Sequence, residues 1–181
     1  MDMSPFLSPD EASYFQTIIG VMIWMVDLGR IDIAVEVLQP SSFLAMPRQG
    51  HLVNALHILP YLKIKQNCRL VLDTSYPGID MSDFKSNENW ATFYEDVQEA
   101  KPLNSPKPLG KKVTLRMFVE SDHEGGKSDR RSRTGYMIFM NMTMINWHTK
   151  KQATVESAVF GAEFLAMKQG VEYLRGIRFK L

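Results

Sequence analysis

The C-terminal stretch of the chain, residues 113–181, constrains the fold most, because its hydrophobic pattern changes from strand-like to helix-like. Residues 113–119 and 135–140 alternate apolar and other side chains, and a third short run covers 144–148. Such alternation predicts strands with one buried face. From Ala158 onward the apolar residues recur every three or four positions, which predicts a helix with one apolar face. The members of this apolar stripe are Phe160, Phe164, Met167, Val171 and Leu174.

Acidic residues stand at two points of this pattern. Glu120 and Asp122 follow the first predicted strand, and Glu163 lies in the predicted helix. If the strand continues, Glu120 and Asp122 share a face, because side chains alternate along a strand. Carboxylates from separate elements suit Mg²⁺, and two such ions about 3.5–4 Å apart can hold both reacting oxygens of a phosphodiester. The alternative is that these acids only decorate a turn and the sheet edge.

The N-terminal part of the chain predicts three short helices that pack as a small bundle. Ser8 and Glu11 have the spacing of a capping box, with Pro9 at the first helical position, and Gly29 is the predicted end of this helix. The predicted buried stripe is Ala12, Phe15, Ile19, Met22 and Val26.

A second helix is predicted to begin over 31–38, and a third is predicted over about 49–65 with Leu52, Leu56, Leu59 and Leu62 on one side. Pro40 and Pro60 fall inside these patterns. Since a proline inside a helix lacks an N–H donor and clashes with the preceding turn, each helix is expected to kink or end early.

Composition limits the classes of protein to which the chain can belong. With 181 residues, 45% of them hydrophobic, it can bury one good core or two small ones. The net charge of +1 creates no global basic field, so any nucleic-acid surface must be local. The single cysteine fits a reducing compartment, and the longest apolar run, 18–26, is too short to span a bilayer. We therefore expect an intracellular protein without membrane contact.

Four sequence blocks occur in order with characteristic gaps: VESDHEGGK at 119–127, RRSRTGY at 130–136, WHTKKQ at 147–152 and VESAVFGAEFLAMK at 155–168. This series resembles the ribonuclease H domain of copia-type retrotransposon polyproteins. Upstream, YFQTIIG at 14–20, DIA at 32–34 and YLK at 61–63 resemble the part of the same polyprotein that follows the polymerase active site.

The resemblance implies a mixed α/β (α+β) fragment of a reverse transcriptase polyprotein. Its expected divisions are a helical segment over 1–66, a connector over 67–110 and a partial ribonuclease H-like domain over 111–181. The implied activity is Mg²⁺-dependent hydrolysis of the RNA strand of an RNA/DNA hybrid. The implied partners are that hybrid and the remainder of the Pol polyprotein.

The same resemblance assigns catalytic and metal-binding roles to three acids, and two features count against activity. Glu120 falls on the family's first catalytic aspartate, Asp122 on the second acid of that motif and Glu163 on the helical glutamate. The exchange at Glu120 adds a methylene, and the family's two further aspartates lie beyond the long helix, where this chain ends at Leu181. We therefore expect weak or absent Mg²⁺ binding and no cleavage by this chain alone.

The basic residues near the acidic turn support a second hypothesis, a non-catalytic remnant of a decayed retroelement that binds nucleic acid or a partner. These residues are Arg130, Arg131, Arg133, Lys150 and Lys151. They can contact a phosphate backbone, or they form an exposed charged hairpin balanced by nearby acids. A third possibility is a decayed reading frame without a selected role. An unfinished sheet also has a free edge, through which self-association is expected.

Overall fold

A computed structural model describes residues 2–80, 82, 92, 95, 100, 102–107, 110–123, 125 and 130–181. Contacts divide the chain into two compact units, Met1–Val71 and Leu72–Leu181. Much of the predicted connector lies outside the described residues, including its aromatic cluster of Trp90, Phe93 and Tyr94.

The first unit is the small helical bundle that the sequence predicts. Helix α1 spans Pro9–Asp27, a 3₁₀ turn spans Ile31–Ile33, α2 spans Ala34–Ser41 and α3 spans Gln49–Ile64. Its core joins α1 to α3 through Phe15, Ile19 and Ala55. Within the described residues, none of the helices combines the length and apolarity that crossing a membrane requires.

The predicted limits of α1 are confirmed. The Ser8 side chain accepts a hydrogen bond from the Glu11 amide, and the Glu11 carboxylate accepts one from the Ser8 amide at 2.9 Å, so the capping box is complete. Gly29 follows the last turn with φ of +117°, a conformation that side chains rarely adopt. The helix therefore begins and ends where the local sequence dictates.

The two helical prolines behave differently. Helix α2 ends at Ser41, one residue after Pro40, whereas α3 continues past Pro60 to Ile64. Helix α2 therefore ends close to its proline, whereas α3 does not. The buried face of α3 consists of His51, Ala55 and Ile58, one position away from the predicted leucine side.

The second unit contains three antiparallel strands and a long helix. Strand β1 spans Leu115–Asp122, β2 Arg133–Met140 and β3 Thr143–Lys151, in the sheet order β1-β2-β3. Helix α4 spans Val159–Arg178. The predicted mixed architecture, with a helical bundle, three antiparallel strands and a long helix, is confirmed. Because β1 extends to Asp122, both of its acids lie within a strand.

Helix α4 packs on the sheet through a face of small residues. Ala162, Ala166 and Gly170 are buried, and a Cβ on Gly170 would lie 2.5 Å from Sδ of Met117 in β1. The predicted apolar stripe of larger residues lies mainly on the exposed side of the same helix, at Phe160, Phe164, Met167 and Val171. The helix is therefore predicted correctly, but the face that packs on the sheet is a different one.

Candidate functional site

The alternation of β1 divides its side chains between the two faces of the sheet. Met117 and Val119 lie against Gly170 of α4, so they and Ser121 belong to the face on which the helix packs. Glu120 and Asp122 belong to the opposite face, and both are exposed. The prediction that these two acids share a face is therefore confirmed.

Glu163 reaches this strand from α4. Its carboxylate Oε2 accepts a hydrogen bond from the backbone N–H of Ser121 at 3.1 Å. Ser121 stands between Glu120 and Asp122, so the helical glutamate meets β1 at the residue between the two strand acids. Since β2 occupies the other side of β1, this bond satisfies an amide on the outer edge of the sheet.

The Asp122 carboxylate has a local structural role. It accepts a hydrogen bond from the backbone N–H of Arg133, the residue that faces it on β2. It also lies against Gly125, where any Cβ would collide with the carboxylate. Asp122 therefore anchors the connection between β1 and β2. Glu120 lies opposite Gly135, which leaves its side chain without a bulky neighbour on the facing residue.

These positions decide whether the acids suit Mg²⁺. In the part of the chain that the structure describes, no three His, Cys, Asp or Glu side chains come together as metal ligands. Mg²⁺ needs near-octahedral coordination by oxygen ligands at about 2.1 Å. Glu120, Asp122 and Glu163 are therefore not brought together as three ligands of one site.

A buried polar cluster fixes the start of α4 to the sheet. Gln152, only 2% exposed, donates hydrogen bonds from Nε2 to Thr134 Oγ1 at 3.1 Å and to the carbonyl of Ala162 at 2.9 Å. Ser121, 7% exposed, lies beside Thr134 in the strand register. Gln152 was not predicted from the sequence, although it closes the WHTKKQ block a few residues after the third predicted strand.

The predicted basic residues do not form one surface. Arg133 of β2 lies opposite Lys151 of β3 in the strand register, on the sheet face that also holds Asp122. Lys150 lies opposite Thr134 in the strand register and therefore belongs to the sheet face on which α4 packs. The other two predicted residues, Arg130 and Arg131, precede β2 and are exposed.

Lys150 borders a cavity of about 460 Å³ between the sheet and α4. The Tyr136 and His148 rings stack there with centroids 4.9 Å apart, and Tyr173 completes the wall. Burial and the nearby charge of Lys150 lower the pKa of His148. Burial, with a smaller contribution from Tyr173, raises the pKa of Tyr136. The cavity therefore favours neutral rings.

No family model and no solved structure matches this chain. A stretch of 56 residues is 36% identical to the uncharacterized mitochondrial protein AtMg00810 of Arabidopsis thaliana. That stretch covers 31% of this chain and 23% of the plant protein, so the match spans less than a quarter of the relative's length. The chain is thus related over a short segment to a plant protein.

Proposed function

We propose that the chain is a segment of a copia-type retrotransposon polyprotein, in which helices that follow the reverse transcriptase palm join part of a ribonuclease H-like domain. The four ordered sequence blocks support this origin, and the short match to the plant protein is compatible with it. In this proposal the chain by itself does not hydrolyse the RNA of an RNA/DNA hybrid.

The hydrogen bond between Glu163 and the Ser121 amide carries this proposal. It supports the proposed origin because the helical acid and the strand acids belong to elements that meet. It supports inactivity because Oε2 of Glu163 accepts a hydrogen bond from a backbone amide and Asp122 accepts one from the Arg133 amide, so both carboxylates have structural roles in this chain. Two-metal catalysis needs carboxylates that hold two ions at a fixed distance, which these contacts do not provide.

The test is cleavage of an RNA/DNA hybrid, labelled in its RNA strand, by the full chain with Mg²⁺. We expect no cleavage above the background of Glu163→Gln. The matched control is Glu172→Gln, which changes an exposed glutamate on the same helix. Mg²⁺-dependent cleavage that Glu163→Gln abolishes and Glu172→Gln preserves would show that the chain is an active nuclease and would overturn the proposal.

The second candidate function is binding of a nucleic-acid backbone without catalysis. The position of Arg133 opposite Lys151 in the sheet favours it, because Arg131 precedes β2 by two residues and adds a third basic residue to the same part of the chain. Each phosphate that such residues neutralise releases counterions. A plot of the logarithm of the binding constant for a duplex against the logarithm of the salt concentration therefore has a slope of about −0.9 per phosphate.

Binding of a labelled hybrid to the full chain tests this candidate. We expect binding that weakens with added salt. Arg131→Ala and Lys151→Ala should each lower the affinity and make it less dependent on salt than in the unchanged protein. The controls are Lys168→Ala and Arg175→Ala, which remove exposed charges from α4. Absence of binding at low salt, or equal losses in the control variants, contradicts a role for the hairpin.

The open sheet edges are proposed contacts to the remainder of the polyprotein or to a second copy. Strands β1 and β3 are the outer strands of the described sheet. An outer strand offers unpaired backbone groups to a new partner strand. Glu163 already occupies the Ser121 amide on the β1 edge, so pairing there must begin N-terminal to this residue.

A further inference from the structure

The outward face of α4 is an apolar stripe that nothing in the described residues covers. Phe160 is 79% exposed, Phe164 53%, Met167 47% and Val171 43%. The rings of Phe160 and Phe164 stack on each other with centroids 6.1 Å apart. Contiguous apolar surface of this kind marks an interaction site more often than isolated exposed residues do.

The spacing of this stripe is that of a coiled-coil seam. Phe160, Phe164, Met167, Val171 and Leu174 follow one another at intervals of four, three, four and three residues. These intervals repeat every seven residues and correspond to d, a, d, a and d of a heptad. A helix that packs only on a sheet does not need this spacing, and α4 contacts its own sheet through a different face.

The two margins of the stripe carry opposite charges. Glu163 precedes Phe164 and occupies a g position, whereas Lys168 follows Met167 and occupies an e position. In a parallel pair of helices, g of one chain lies beside e of the other, five residues further on, and Glu163 and Lys168 have this separation. The helix is therefore complementary in charge to a second copy of itself.

Lys168 is available for such a contact. Its Nζ lies 4.0 Å from Oε1 of Glu172, and both side chains are exposed. An exposed pair of this kind contributes little and exchanges partners readily.

We propose that the stripe is a dimer interface in which α4 of one chain packs in parallel and in register against α4 of a second copy. Phe164 and Val171 then meet their own counterparts. Glu163 of each chain keeps its Oε2 bonded to the Ser121 amide and pairs through Oε1 with Lys168 of the other chain. The helix is already formed by its packing on the sheet, so association does not have to order it. The seam covers only about two heptads, which places the dimer in the weak, concentration-dependent class.

Sedimentation velocity of the full chain over about 5–500 µM measures this equilibrium. We expect a reversible monomer–dimer transition that Phe164→Ser shifts to at least tenfold higher concentration. The matched control is Phe118→Ser, because Phe118 is 57% exposed on the sheet face away from α4. A monomer throughout the range, a dimer unchanged by Phe164→Ser, or equal losses in the control overturns the proposal.

Two further variants test the parallel register. Lys168→Glu places like charges together and is expected to weaken the dimer, with a smaller effect at high salt. In a chain with Cys68→Ala, Val171→Cys is expected to form a disulfide-linked dimer on mild oxidation, because each a position faces its own copy. Met142→Cys, at 42% exposure against 43% for Val171, is the control for random collision. Failure of the Val171→Cys cross-link, or an unchanged Lys168→Glu dimer, overturns the parallel pairing.

Discussion

Replacement of Gln152 by alanine should destabilise the second unit, because this side chain joins the end of the sheet to the start of α4. Its Nε2 donates to Thr134 Oγ1 and to the Ala162 carbonyl, and the side chain is almost fully buried. The variant removes both bonds at once. It also leaves a small void where α4 leaves the sheet.

The contacts set the magnitude of the effect. Two hydrogen bonds at about 0.5–1.5 kcal/mol each give about 1–3 kcal/mol. The void adds roughly 1 kcal/mol. The total is about 2–4 kcal/mol, against about 5–15 kcal/mol for an ordinary domain, so the unit should remain folded and be clearly less stable.

Urea unfolding followed by the fluorescence of Trp147 in β3 isolates this unit, in a background with Trp24→Phe and Trp90→Phe. With a slope of about 2 kcal/mol per molar urea, a loss of about 2–4 kcal/mol lowers the midpoint by roughly 1–2 M. The control is Gln169→Ala, an exposed change on α4, for which a shift within about 0.5 kcal/mol is expected. A Gln152→Ala midpoint no lower than that of the control would refute the inferred role of the buried amide.

Three other changes have defined outcomes. Ser8→Ala removes the α1 cap and should cost about 1 kcal/mol in urea unfolding of the first unit. Gly29→Ala should cost about 1–2 kcal/mol in the same assay, because a side chain is strained at positive φ and its Cβ would lie 3.1 Å from Leu70. His148 has a lowered pKa, so the unfolded chain binds its proton first as the pH falls. The stability that the neutral His148 contributes is present above about pH 6.5 and is lost as the pH falls through the lower pKa of the folded state. Between about pH 7 and 5 the His148→Gln variant should therefore lose less stability than the unchanged protein, as measured by urea midpoints.

Local sequence signals predicted the elements well. The capping box at Ser8 and the glycine at position 29 set the limits of α1 through contacts within a few residues. The alternation around Glu120 and Asp122 placed both acids on one face, as the structure confirms. Helix α2 ends one residue after Pro40, whereas Pro60 does not end α3. A helix that packs along its length can continue past a single missing hydrogen bond.

The candidate site was less accessible to sequence analysis. The blocks identified Glu163, but not that its carboxylate accepts from the Ser121 amide. They grouped Lys150 with Lys151, whereas the strand alternation puts these neighbours on opposite faces of the sheet. The contact between Glu163 and Ser121 joins residues far apart in the chain, and no local periodicity encodes it.

The sequence by itself determined the type and order of the described helices and strands and the limits of α1, because caps, turns and periodicity act over a few residues. Tertiary structure decided which faces are buried. In α3 and α4 the buried faces centre on Ala55 and on Ala162, Ala166 and Gly170, not on the larger apolar residues beside them. Close approach of a helix to its neighbour requires small side chains at the contact, and only the assembled fold shows where that contact lies.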